Sequence, residues 1–159
     1  MSLKLIGILG VLFAFIMNYF ISQINPFLLP FVNLYSIPII FIGMKQFRPS
    51  SIIISATAGI LEDISSFFPI GVNALKKLIL LFLVNRFSNF VSISSFFGYM
   101  VLILCSVFLE IVLLFLITGF FGLKNPFGEF YELILFQPLL TAIIGAPIFI
   151  AFSRIYRKK

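Results

Sequence analysis

Three places in this chain put ionisable side chains inside otherwise apolar stretches: Glu62-Asp63, Lys76-Lys77 and Glu110. Insertion of Asp, Lys or Arg at the centre of a membrane helix costs about 2.5–3.5 kcal/mol, so each place must be offset by a partner or a function. Glu62-Asp63 falls near the end of the third apolar segment, and Lys76-Lys77 falls about one turn into the fourth. The turn Pro69-Ile70-Gly71 makes the two segments an antiparallel hairpin, with carboxylates and ammonium groups at similar depth. Two arrangements are open. At least one pair, best guessed as Asp63 with Lys77 or Lys76, neutralises across the hairpin; otherwise all four groups snorkel to the interface. Glu110 sits centrally in the fifth segment. A carboxylate there is a candidate proton or substrate site. We favour a carboxyl hydrogen-bonded between helices, meeting Asn, Ser or Tyr, because no second acid stands at matched depth.

Other chemistry lacks its parts. The chain has no His and one Cys, Cys105, which leaves a transition metal almost without ligands. Intramembrane hydrolysis by a serine needs a basic partner, and metalloproteolysis needs histidines. Ser65-Ser66 and Ser94-Ser95 read as helix-end and loop residues. The expectation is a protein that is not an enzyme and carries no cofactor. Cys105, in an apolar run, reads as a small apolar residue.

The elements that hold these residues are read from hydropathy. The 159 residues are 62% hydrophobic and 10% charged, with a mean hydropathy of +1.22, against about 45–50% and 25% for a soluble domain. A lipid-facing helix needs no polar side, so the bilayer accommodates such a composition. With about 20 apolar residues needed per crossing, six approximate spans emerge, at 5–21, 27–44, 51–68, 72–90, 95–121 and 130–150. The first begins like a signal peptide at Lys4 but meets no small-residue cleavage site, so we expect a retained helix. The second contains Pro30 and Pro38 with Asn33 between them, and is expected to bend, break or re-enter. The class is an all-α integral membrane protein of one domain, 1–159.

Basic residues set the expected orientation. With a cytoplasmic N-terminus, Lys4, Lys45, Arg48, Arg86, Arg154, Arg157, Lys158 and Lys159 lie inside, and Lys76, Lys77 and Lys124 lie outside. Six spans return the C-terminus to the same positive side. The net charge of +6 is thus topological, and nucleic acid is not an expected partner. The basic C-terminus reads as a topology anchor before a lipid-recognition site.

Ala58-Gly59-Ile60-Leu61-Glu62-Asp63-Ile64, followed by Pro69-Ile70-Gly71-Val72-Asn73-Ala74-Leu75, resembles the central signature of the rod-shape-determining MreD family. That signature has a Gly, three residues, an Asp, a short linker, and a Pro/Leu-x-Gly-x-His/Asn-Ala-Leu run. Gly59, Asp63, Pro69, Gly71, Asn73, Ala74 and Leu75 take the matching places. The close match covers about 30 residues; elsewhere only length and layout agree. Ser65-Ser66-Phe67-Phe68 stands where a glycine is common in the family, and Lys76-Lys77 where apolar residues are usual. On physical grounds Gly59 permits close helix contact. Asp63 is placed to accept bonds from the next helix's free N–H groups or from Asn73, as a cap, or else to meet a partner.

The resemblance implies a non-enzymatic subunit of the cell-elongation machinery in the bacterial inner membrane. It would bind an MreC-like scaffold and, through it, MreB-like filaments, a RodA-like glycosyltransferase and its transpeptidase, in support of lateral peptidoglycan synthesis. The alternative is a subunit similar to the vitamin-capturing component of energy-coupling-factor transporters, which would need an outward cavity lined by polar side chains of the last three helices. A lone channel or carrier ranks third.

Overall fold

A computed structural model describes residues 2–24, 32–45, 47–65, 69–88, 95–120 and 131–157. The described residues contain six helices and no strand: α1 (Leu3–Ile24), α2 (Ser36–Lys45), α3 (Pro49–Ser65), α4 (Val72–Ser88), α5 (Phe96–Phe120) and α6 (Tyr131–Arg157). Three are long and apolar enough to cross a membrane: α1, α5 and the Phe136–Tyr156 part of α6. At 1.5 Å per residue, α1 and α5 are about 33 and 38 Å long, sufficient for a hydrocarbon core of about 30 Å. Helices α3 and α4, at 17 residues each, reach about 26 Å. They carry buried Asp63, Lys76 and Lys77, and α5 carries buried Glu110.

The second expected span is interrupted, as its prolines led us to expect, and its bounds require correction. Residues 32–35 lie outside any helix, and α2 has ten residues, about 15 Å, half of a crossing. Residues 27–31, including Pro30, lie outside the described residues. Pro38 is the third residue of α2, where backbone N–H groups have no intrahelical partner in any case, so its missing donor costs no helix bond. Elsewhere the helices differ from expectation mainly at their ends. The largest difference is α6, which continues through the expected stop at Ile150 to Arg157.

Helix α2 is the centre of the molecule. It touches all five other helices, and every residue from Ser36 to Gly43 is buried. Phe41 meets Phe149 and Phe152 of α6 edge to face, with ring centroids 5.1 and 5.5 Å apart, a favoured aromatic geometry. Around this core α3 packs on α4 and α5 on α6. The outer faces are apolar: Leu5, Leu9, Leu12, Phe13 and Ile16 of α1 and Phe97, Val101 and Leu116 of α5 are exposed. Such a surface suits lipid.

The bundle has a basic end. A shallow cavity brings Ser2 and Lys4 at the start of α1 to Arg48 and Ser50 at the start of α3. The Asn85 side-chain amide donates to the Gly43 carbonyl (3.0 Å), which seats the end of α4 beside the end of α2. The end of α6 joins them through Tyr156 against Phe41. Lys45, Arg48, Arg86 and Arg154 are exposed there.

Candidate functional site

The α3–α4 hairpin is closed by backbone contact and by a carboxylate. A Cβ on Gly59 would overlap the Cα of Ala74, and would lie 2.5 Å from the Ala74 nitrogen and 2.7 Å from the Asn73 carbonyl oxygen. These are backbone atoms that cannot step aside, so the helices meet at a distance only glycine allows. Gly71 has φ +108°, the left-handed region, which turns the chain into α4 without the penalty a Cβ would bring. Asp63 then caps α4: the Gly71 N–H donates to Oδ2 (2.7 Å) and the Asn73 N–H to Oδ1 (2.9 Å). A carboxylate at a helix N-terminus satisfies free donors and meets the positive end of the helix dipole. One helical turn or more toward the basic end, the Ser55 hydroxyl donates to the Lys77 carbonyl (2.9 Å) and ties the hairpin again.

The pairing across the hairpin is made by Glu62, not by Asp63. Lys76 Nζ lies 2.9 Å from Glu62 Oε1, and Lys77 Nζ lies 2.9 Å from Glu62 Oε2. Asp63 is turned into the cap because adjacent helical residues point about 100° apart. One of the pair can face the next helix's N-terminus while the other faces its flank.

Lys77 is the hub. It is fully buried, and its Nζ donates to Ser36 Oγ (2.6 Å), Glu110 Oε1 (2.8 Å) and Asn33 Oδ1 (3.1 Å). An ammonium has three protons, and these bonds use them all. The 2.9 Å approach of Glu62 Oε2 is therefore a charge contact without a hydrogen bond, consistent with that oxygen lacking a directed donor. Glu110, also buried, accepts on its other oxygen from the Ser36 hydroxyl (2.6 Å) and the Asn33 side-chain amide (2.9 Å). The Asn33 backbone N–H donates to Thr141 Oγ1 of α6 (3.0 Å).

Glu110 does meet Asn and Ser, as expected, but the expectation that it stands without a second acid fails. Glu62 belongs to the same cluster, and Lys77 bridges the two carboxylates. Two ammonium and two carboxylate groups sum to zero charge, so the cluster is buried as a neutral unit. Glu62 alone keeps an appreciable exposed fraction, 17% of its side chain. Lys77 and Glu110 are sealed. The arrangement joins five segments — the turn before α2, α2 itself, α3, α4 and α5 — and reaches α6 through Thr141.

Asn33, Ser36 and Thr141 were not legible as site residues in the sequence. The only signal was Asn33 between two prolines. Leu75 of the signature is exposed and Ala74 packs on Gly59. Among the described residues no group of three or more Asp, Glu, Cys or His could hold a metal. Cys105 is exposed on α5. Comparison with known proteins adds nothing to this geometry: no family model, no curated protein and no solved structure matches the chain.

Proposed function

We propose that this chain is a non-enzymatic subunit of a bacterial cell-elongation complex, an MreD-like protein that binds an MreC-like scaffold in the inner membrane. The observation that carries the reading is the hairpin. The residues of the resemblance form one structural unit, in which Gly59 seats Ala74, Asp63 caps α4 at Gly71 and Asn73, and Gly71 supplies the turn. The chain is taken to cross the membrane six times with both termini in the cytoplasm. Helices α3 and α4 would then be crossings shielded by their neighbours, and α2 would be the buried half of a broken crossing. The clustering of Lys45, Arg48, Arg86 and Arg154 at one end of the bundle supports that orientation.

The vitamin-capturing alternative needs polar side chains free to line an outward cavity. Lys77, Glu110 and Thr141 are instead buried against Asn33 and Ser36, which favours the scaffold reading. Affinity purification of the tagged chain from its native host tests it. Co-purification of MreC- and RodA-like proteins, with rounding of cells on depletion, is expected. Recovery of ATPase subunits instead, or unchanged cell shape on depletion, contradicts it.

A further inference from the structure

The basic end of the bundle holds a cavity of about 100 Å³ lined by Ser2, Leu3, Lys4, Ile42, Arg48, Ser50, Ser51 and Ile54. Two cations from separate segments, Lys4 and Arg48, face it. Glu62, Asp63 and Glu110 are engaged in the hairpin and its charge network, and neither cation forms an ion pair with a described side chain. Neither side chain donates a hydrogen bond to another described residue. Hydroxyls of Ser2, Ser50 and Ser51 complete the polar lining, and Ser51 is buried.

The surroundings match an anion. Helices α1 and α3 both begin at this cavity, and the positive ends of their dipoles add to the two side-chain charges. The same helices continue with exposed apolar residues, Leu5 and Ile8 on α1 and Ile52 and Ile53 on α3. A phosphate seated between Lys4 and Arg48 would therefore have an apolar surface beside it along which acyl chains can lie. Loose polybasic attraction to a membrane needs no cavity and no particular pair of residues; this end of the molecule provides both.

We propose that the cavity between α1 and α3 is a binding site for a phosphate group, with Lys4 and Arg48 as its charge partners and the Ser2 and Ser50 hydroxyls as donors. The phosphate belongs to an anionic phospholipid headgroup or to a soluble phosphate. The site is independent of the cell-elongation reading.

The test uses the full chain in vesicles of phosphatidylglycerol and phosphatidylcholine in equal parts. The protein is extracted into detergent and its retained lipid counted by native mass spectrometry. A parallel arm titrates inorganic phosphate into lipid-free protein. Enrichment of phosphatidylglycerol is expected, falling about thirtyfold in Lys4→Gln/Arg48→Gln and less than about fivefold in Lys45→Gln/Arg154→Gln, two cations outside the cavity. Binding of inorganic phosphate without lipid enrichment, lost in the same double variant, supports the site and assigns a soluble source. Neither ligand binding, or equal loss in Lys45→Gln/Arg154→Gln, overturns it. Both variants replace exposed residues, and circular dichroism checks that they are folded.

Discussion

Helices α1 and α2 solve opposite problems. The 22 residues of α1 turn most of their side chains outward, and only Ile6, Gly7, Gly10, Val11 and Ala14 are buried. The ten residues of α2 bury eight in succession. Apolar length thus identifies the wall of this molecule and not its centre. Outside, every side chain can be apolar because lipid accepts it. Inside, close approach and partner choice decide, and the polar residues gather there: Asn33 and Ser36 at the start of α2, Lys77 on α4, Glu110 on α5 and Thr141 on α6. Compared with a soluble domain, the polarity is turned inward. Helix–helix association in lipid gains little from apolar contact alone, so hydrogen bonds and small residues provide the cohesion.

The contrast between wall and centre predicts graded effects. Lys77→Met should be the most damaging single change, because it leaves Glu62 and Glu110 facing one another without their shared cation. Breaking a buried pair in this way costs about 3–5 kcal/mol, and a large fall in the thermal midpoint, read by circular dichroism in detergent, is expected. Lys76→Met should cost less, since Lys76 contacts the partly exposed Glu62. A smaller fall for Lys77 than for Lys76 would break the assignment of Lys77 as hub.

Two glycines sharpen the comparison. Gly59→Ala places a methyl group into the backbone of α4 and should destabilise by about 1–3 kcal/mol. Gly119→Ala on α5 meets nothing within 4 Å, and should be neutral or stabilise by up to about 1 kcal/mol through helix propensity. The Gly59 midpoint should fall while the Gly119 midpoint holds or rises. Asp63→Ala removes the acceptor of two backbone donors and should cost about 0.5–2 kcal/mol. Proteolytic nicking within the Pro69–Gly71 turn is the readout that separates local fraying from global loss. Phe97→Leu, at a side chain 75% exposed, should change stability by less than about 0.5 kcal/mol.

The sequence made the wall legible and the hairpin nearly so. Long apolar runs locate α1, α5 and α6, and Pro69-Ile70-Gly71 locates the turn. Depth along a helix can also be counted, which is why Glu62, Asp63, Lys76 and Lys77 were expected to lie level. Azimuth cannot be counted in the same way without knowing how the helices pack. That is why Asp63 could be expected both in the ion pair and as the cap of the next helix; it is found in the cap, and Glu62 makes the ion pair. For the same reason Glu110 could be placed at mid-helix but not joined to Lys77, 33 residues away. Helix α2 falls within the single span read at 27–44, because its residues are as apolar as those of a wall helix. Its shortness comes from the non-helical residues 32–35, where Asn33 turns its side chain to Glu110 and its backbone to Thr141.

A double-mutant cycle on Lys77→Met and Glu110→Leu tests most directly whether the centre is held by this charge network. Removing both partners leaves no unpaired charge between them. The double variant should recover much of the stability lost by either single change, with a coupling energy of about 1–3 kcal/mol. Additive losses, with no coupling between the two positions, would contradict the network.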